Sequence, residues 1–255
     1  RGEEYPLVVG GGPCAYNPEP LAGYFDLFCL GESEESVQLL ADTVIAWKEA
    51  GKPGGKKGLL KVLAGQEGNY VPSFYRDEYD ENGDFLRLVP TEAEAEPVIR
   101  KCVVADEETV FFPTKPIVPN IDIVHNRAVL ELFRGCSRGC RFCQAGILYR
   151  PVREKTPERL VELAKEIIAN SGYDEISLMS LSSADYSRLP ELVDLLLEAF
   201  KGRKVSVSLP SLRVDSFSVD IAKKVQQVRK SGLTFAPEAG TQRLRDVINK
   251  GVTEG

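Results

Sequence analysis

Histidine occurs once in the 255 residues, at position 125. A lone histidine reads as a structural group before it reads as a catalyst, and no second imidazole is on hand to complete a zinc site. Long apolar runs are missing too, so no segment reads as a membrane span, and no signal sequence precedes the first strand pattern. Cysteine is sparse: of six, three cluster at Cys136, Cys140 and Cys143, while Cys14, Cys29 and Cys102 are scattered. They do not form a disulfide framework for a chain of this size, and a reducing cytoplasm is the expected compartment. A basic excess is lacking, and the net charge of −6 argues against a general nucleic-acid coat. The glycine- and lysine-rich stretch 51–58 lacks the spacing and the preceding strand of a phosphate-binding loop, and reads as a flexible solvated turn. An initiator methionine is absent as well, and the chain stops just after a new helix start at Thr253-Glu254, the pattern expected of a fragment.

What is present has the balance of a globular protein, 43% apolar and 27% charged, with room for one or two domains. A strand pattern at Pro6–Val9 runs into Gly10-Gly11-Gly12, and a second follows at Phe25–Leu30. Residues 34–50 read as a helix with Val37, Leu39, Leu40, Val44, Ile45 and Trp47 as its apolar stripe. The short run from Leu59 to Leu63 fits strand or helix equally well. Asn82-Gly83 between Val71–Tyr75 and Phe85–Val89 signals a hairpin, and prolines 113, 116 and 119 stiffen the approach to residue 124. From Ala128 onward strands and helices alternate, the pattern of an α/β fold with parallel strands. Strands are expected at Ala128–Phe133, Glu175–Leu181, Val205–Leu209 and Leu233–Ala236. Thr156 caps a helix with Pro157 at its first position, and Ser171-Gly172 closes it.

The chemistry concentrates in Arg134-Gly135-Cys136-Ser137-Arg138-Gly139-Cys140-Arg141-Phe142-Cys143-Gln144. Three cysteines spaced C-x₃-C-x₂-C at the end of a strand, among glycines, let one tight loop aim three thiolates at one point. Three ligands are one short of a closed zinc site, but they suit a four-iron cluster with one iron left open for a further ligand. A zinc knuckle completed by an aspartate or a distant cysteine, or a redox-active loop, remain as alternatives.

The stretch Leu132–Gly146, with Phe142 just before the last cysteine, resembles the signature of the radical S-adenosylmethionine (SAM) superfamily. It is most similar to the branch with an N-terminal cobalamin-binding domain, related to the methylthiotransferases. The resemblance implies a [4Fe–4S] cluster held by Cys136, Cys140 and Cys143, and SAM chelated to the open iron and cleaved reductively to a 5′-deoxyadenosyl radical. It also implies a fold, a partial radical SAM (βα) barrel with about four of six βα units visible, preceded by the remnant of a Rossmann-like cobalamin-binding domain. On that basis residues 1–33 form the remnant, 34–123 a helical and irregular linker region, and 124–255 the first part of the barrel. Gly11 and Gly12 match the glycine pair along the cobalamin nucleotide tail. The loop that would supply the cobalt-ligating histidine has no counterpart, so cobalamin is expected only in a longer parent protein.

SAM contacts are expected at the carboxyl ends of the parallel strands, where βα loops converge. By resemblance these are Phe142 near the adenine, Ser182, Ser183 and Asp185 for the SAM ammonium, Arg213 for its carboxylate, Glu238 for the ribose, and Ser211 as a further contact. The family glycines that would precede the acid are absent at 182–184. Implied partners are SAM, an electron donor such as flavodoxin or ferredoxin, and a substrate of RNA or protein that undergoes methyl or methylthio transfer. The alternative reading is a non-catalytic zinc or iron–sulfur module that contacts RNA through Lys52, Lys56 and Lys57.

Overall fold

Gly10 stands where no side chain fits, because an added Cβ would lie 2.7 Å from the Phe28 ring. That close approach joins β1 (Val9–Gly10) to β2 (Leu27–Cys29) as a parallel pair, with 3₁₀ turns at Pro13–Tyr16 and Glu19–Tyr24 between them. The computed structural model describes residues 2, 5–121, 123–210, 219–226 and 235–253, and the chain divides into two units, Arg1–Ala105 and Asp106–Gly255.

In the first unit, α1 (Ser36–Glu49) and α2 (Gly55–Ala64) follow β2, and β3 (Asn69–Tyr70) returns antiparallel beside it. The stripe expected of α1 is divided. Leu40, Val44 and Trp47, spaced four and three apart, pack on the core of Leu27, Leu59, Leu63, Val71 and Phe74, whereas Val37, Leu39 and Ile45 are exposed. The apolar run at 59–63 resolves as helix, and the helix starts earlier than the solvated turn expected at 51–58 allows. Gly54 and Gly55, at φ +67° and +61°, begin the turn, and Lys56 and Lys57 sit in the first turn of α2. Lys56 is buried, its Nζ 2.9 Å from Asp26 Oδ2, and Lys57 Nζ lies 2.6 Å from Glu92. Of the three lysines named for RNA contact, Lys56 is interior, Lys57 is exposed and paired with Glu92, and Lys52 is exposed with its Nζ 5.8 Å from the centre of the Trp47 ring.

The expected hairpin forms, but shifted. β4 (Tyr75–Tyr79) pairs antiparallel with β5 (Phe85–Pro90), and Pro72–Phe74 is a 3₁₀ turn. Arg76 to Tyr79 belong to the strand, and Gly83 takes the left-handed turn position at φ +85°.

In the second unit, β6 (Ala128–Glu131) leads into β7 (Phe133–Arg134), and α3 (Ala145–Leu148) is followed by β8 (Arg153–Glu154), α4 (Pro157–Ser171) and β9 (Glu175–Met179). A 3₁₀ turn at Ser183–Asp185 comes next, then α5 (Leu189–Ala199), β10 (Ser206–Ser208), α6 (Val219–Val225) and α7 (Gln242–Val247). The sheet runs β10-β9-β6, all parallel, so the chain has a mixed α/β fold with a parallel sheet. Of the expected fourth strand, Leu233 and Thr234 lie outside the described residues.

Helix α4 is as its sequence dictates. Thr156 Oγ1 accepts from the Arg159 N–H at 3.3 Å, and Gly172 ends the helix at φ +73°. Its buried side chains, Leu160, Leu163, Ala164, Ile167 and Ile168, meet Leu130, Ile176 and Leu178 of the sheet and Leu192 and Leu196 of α5. Each fully buried leucine contributes roughly 1.5–3 kcal/mol by leaving water. The other face of the sheet is different in character: Val129 and Met179 are exposed, and Ser177 and Ser208 stand side by side in register. Among the described residues, no helix is long and apolar enough to cross a membrane.

Two outcomes follow from these placements. Leu163→Ala, which empties a fully buried site, should lower the stability of the second unit by about 2–5 kcal/mol in urea unfolding. A loss below 0.5 kcal/mol would mean that the packing of α4 on the sheet is misdescribed. In the first unit, burial and the neighbouring Cys102 raise the thiol pKa of Cys29 to about 11. Iodoacetamide at pH 8 should therefore label the exposed Cys14 well before Cys29, and equal rates would contradict the burial of β2.

Candidate metal centre

The chain leaves the sheet at Glu131 and turns through Leu132, whose N–H donates to Met179 O at 2.9 Å. Phe133 and Arg134 then pair antiparallel with Arg153 and Glu154, so β7 and β8 form the stem of a loop spanning residues 135–152. Gly135 begins that loop at φ +87°, and a Cβ there would lie 2.6 Å from Pro151 O and 2.9 Å from Tyr149 O. Only glycine accepts both the left-handed backbone and the closeness. Gly139, at φ +69°, turns the chain again between Cys136 and Cys140.

Cys136, Cys140 and Cys143 are all partly exposed on this loop, and none is in a disulfide. The Cys143 N–H donates to Cys140 O at 3.1 Å, a turn that keeps these two cysteines on adjacent corners. Among the described residues, no three His, Cys, Asp or Glu side chains are gathered at metal-holding distance. The fit to a cluster therefore rests on the donor chemistry, three thiols on eight residues of backbone, and on the two left-handed glycines that shape the loop.

Distant parts of the second unit hold the loop. Arg141 donates its N–H to Ile248 O at 3.0 Å and its guanidinium to Val247 O. Asn249, itself at φ +57°, donates through Nδ2 to Gly139 O at 2.9 Å and Arg138 O at 3.4 Å. Arg138 reaches the other way and forks onto Asp185, with Nε 2.7 Å from Oδ2 and Nη2 on Oδ1. Arg150 Nε donates to Gly146 O at 2.8 Å.

Against the stem lies a buried carboxylate with nothing in its sequence neighbourhood to single it out. Glu107 is 4% exposed and faces three cations: Lys155 Nζ at 3.0 Å, Arg153 Nη1 at 3.2 Å and Arg134 Nε at 3.7 Å. Lys155 is almost wholly buried, lies over the Phe112 ring at 5.9 Å, and is 3.5 Å from Glu131. Glu107 comes from an acidic triplet, 106–108, that reads as solvated; only the fold brings cations to it. Asn249 was missed for the same reason, since its partners lie about 110 residues away. Arg134, Arg138 and Arg141, which stand beside and among the cysteines in sequence, each have a protein partner.

The other expected site residues fall as follows. Ser182 is buried, and its Oγ has no hydrogen-bond partner among the described residues. Ser183 is fully buried, its hydroxyl donating to Leu178 O at 3.0 Å and accepting from Ser180 Oγ at 3.2 Å. Phe142 is exposed. Glu238, at φ +68°, accepts from Lys250 Nζ at 3.2 Å. Ser211 and Arg213 lie outside the described residues. In the first unit, Gly12 has the left-handed φ of +84°, and Gly11 has space around it, its nearest neighbour being Cys29 O at 3.7 Å. His125 is exposed, its Nδ1 3.1 Å from Arg127 Nη2.

Residues 130–254 match the family model for the radical SAM superfamily, and residues 1–72 match that for radical SAM proteins, N-terminal. The chain thus carries radical SAM superfamily domains, the core and an N-terminal one. It is 28% identical over 250 residues to an uncharacterized protein of Methanocaldococcus jannaschii, an alignment covering 97% of this chain and 46% of that protein. It is 30% identical over 115 residues to the ribosomal protein uS12 methylthiotransferase RimO of Prochlorococcus marinus, covering 43% of this chain and 24% of RimO. The chain therefore spans less than half the length of either relative.

Removing Glu107 should expose how much the stem depends on it. Glu107→Ala leaves Lys155 and two arginines without their buried counter-charge, and should destabilise the second unit by about 3–5 kcal/mol. Urea unfolding of the variant measures this. A change under 1 kcal/mol would show that Lys155 finds water or Glu131 instead.

Proposed function

We propose that this chain provides the cluster-binding part of a radical SAM enzyme, with Cys136, Cys140 and Cys143 as the three protein ligands of a [4Fe–4S] cluster. One observation carries the reading: the C-x₃-C-x₂-C loop follows β6 of the parallel sheet through the short stem strand β7, within the segment that matches the radical SAM superfamily. When bound, such a cluster supplies the single electron that cleaves SAM reductively and starts radical chemistry. The residues of this chain do the rest of the work at the loop. Gly135 and Gly139 permit its turns, Glu107 with its three cations holds the stem, and Asn249 and Arg141 fasten the loop to the segment after α7.

SAM is placed, on this reading, across the carboxyl end of the sheet. Ser182 is its best-supported contact from the β9 loop, because a buried hydroxyl with no hydrogen-bond partner among the described residues has hydrogen bonds to offer. Phe142, Arg213 and Glu238 keep the roles that the family pattern suggests, adenine packing, carboxylate clamping and ribose binding, and Ser211 is kept as a further SAM contact. Ser183 supports the loop from inside. Methyl or methylthio transfer is the proposed reaction class, supported by the similarity to RimO over 115 residues. RNA or protein is the proposed substrate class, and a flavodoxin or ferredoxin the proposed electron donor. The three-part organisation (1–33, 34–123 and 124–255) is kept as a reading of sequence ancestry. The parallel pair β1–β2 around Gly11 and Gly12 supports a relation of the N-terminus to a cobalamin-binding domain, with cobalamin itself bound only in a longer parent.

Anaerobic reconstitution with iron and sulfide tests the proposal. The wild-type chain should gain the broad brown absorbance of an iron–sulfur cluster. Cys136→Ala, Cys140→Ala and Cys143→Ala should each abolish bound iron, while Cys14→Ala, Cys29→Ala and Cys102→Ala should not. Full iron content in Cys140→Ala would sink the ligand assignment, and stoichiometric zinc without iron would favour a structural metal module. Reduced, reconstituted protein should release 5′-deoxyadenosine from SAM.

A further inference from the structure

We infer that Asp185 is a positioning residue for the cysteine loop, acting through Arg138, rather than a direct contact to SAM. The inference rests on the reading of Cys136, Cys140 and Cys143 as cluster ligands and adds to it a residue 42 positions beyond the last cysteine. Both carboxylate oxygens of Asp185 are engaged by the Arg138 guanidinium, Oδ2 by Nε at 2.7 Å and Oδ1 by Nη2. A planar fork of this kind fixes direction as well as distance. It is also sheltered, with the Arg138 side chain 35% and that of Asp185 17% exposed.

The platform is rigid where it needs to be. The Asp185 N–H closes the 3₁₀ turn onto Ser182 O at 2.9 Å, and Ser183 ties the same turn to Leu178 O on β9. The next residue, Tyr186, is buried, its ring stacked on Phe133 at 6.4 Å and its hydroxyl donating to Lys155 O at 2.7 Å. Asp185 is therefore anchored to both the sheet and the loop stem.

Arg138 lies midway between Cys136 and Cys140, in the three residues that set how those thiols diverge. Its side chain is held by Asp185, and its carbonyl, with that of Gly139, by Asn249. The segment is thus gripped from two elements far apart in sequence. Such a grip restricts the loop before any metal arrives, which lowers the ordering cost of gathering three thiolates.

The test uses the metal-free 255-residue chain, so that it does not depend on a cluster. Timed alkylation with iodoacetamide and peptide mapping gives the rate at each cysteine. Asp185→Asn and Arg138→Gln should each speed labelling of Cys136 and Cys140 by about tenfold, the effect of losing one charge-assisted pair on local opening. The double variant should be no faster than either single one, since both remove the same interaction. The reciprocal exchange, Arg138→Asp with Asp185→Arg, should return the rates to within about twofold of wild type, a rescue that a merely structural loss would not show. Cys14, Cys29 and Cys102 report on the rest of the chain and should keep their rates.

Unchanged labelling at Cys136 and Cys140, multiplied effects in the double variant, or failure of the exchange would each overturn the inference. Faster labelling of all six cysteines would also overturn it, because Asp185 would then serve global stability. If SAM affinity of the reconstituted protein falls in Asp185→Asn but not in Arg138→Gln, with labelling unchanged, Asp185 is a SAM contact. Wild-type protein that takes up no iron would remove the proposed function, while the labelling pattern still decides the role of Asp185.

Discussion

The second unit depends on one packing constraint. Leu130, Ile176, Leu178 and Val207 project from the same face of three parallel strands and are covered by Leu160, Leu163, Ala164 and Ile167 of α4 and Leu192 and Leu196 of α5. Because side chains alternate along a strand, covering one face fixes the register of all three strands, and a slip by one residue would turn the leucines out. The carboxyl ends of β6 and β9 are thereby set side by side. From the first hangs the cysteine loop, and from the second the turn bearing Ser182 and Asp185. The chemistry at the end of the sheet is positioned by hydrocarbon packing behind it.

Charge does the finer placement. The stem β7–β8 brings Arg134, Arg153 and Lys155 together, an arrangement that would repel itself without Glu107 among them. Three cations around one buried carboxylate, with Glu131 at the edge, tie the stem to the segment that enters the unit. A few residues further, Arg138 and Asp185 repeat the device in a more exposed setting. Buried pairs of this kind add little net stability compared with an apolar core, yet removing one member leaves an uncompensated charge. Their use here is geometric: they specify which loop meets which strand end.

The match to radical SAM domains agrees with that geometry, since the superfamily segment begins at residue 130, inside β6, and includes the cysteine loop and the turn after β9. The similarity to the Methanocaldococcus jannaschii protein runs through 97% of the chain and so takes in both units. That first unit has its own logic. Its parallel pair β1–β2 is joined at Gly10, and the buried pair Lys56–Asp26 ties the start of α2 to the start of β2. The lysine-rich stretch that looks solvated from composition alone serves instead as a helix start anchored to the core.

Where the sequence sufficed, the forces were local. The cap at Thr156, the proline at 157 and the glycine at 172 are decided within one helical turn, and α4 begins and ends where they say. The cysteine spacing and the glycines beside it likewise announce the loop, because ligand chemistry and left-handed backbone are properties of the residues themselves. The alternation from Ala128 onward was enough for a parallel α/β arrangement. Boundaries were less legible where propensities tie: 59–63 is helix because Leu59, Leu60 and Leu63 find a core to pack on, and β4 extends through charged residues because β5 offers it a ladder. Entirely beyond the sequence were the pairings across long separations. Nothing near Glu107 announces three cations, nothing near Asn249 announces the carbonyls of Arg138 and Gly139, and nothing near Asp185 announces Arg138. A charge or an amide has no preferred distant partner until packing brings one within about 3 Å and excludes water from the pair, and only the tertiary structure does that.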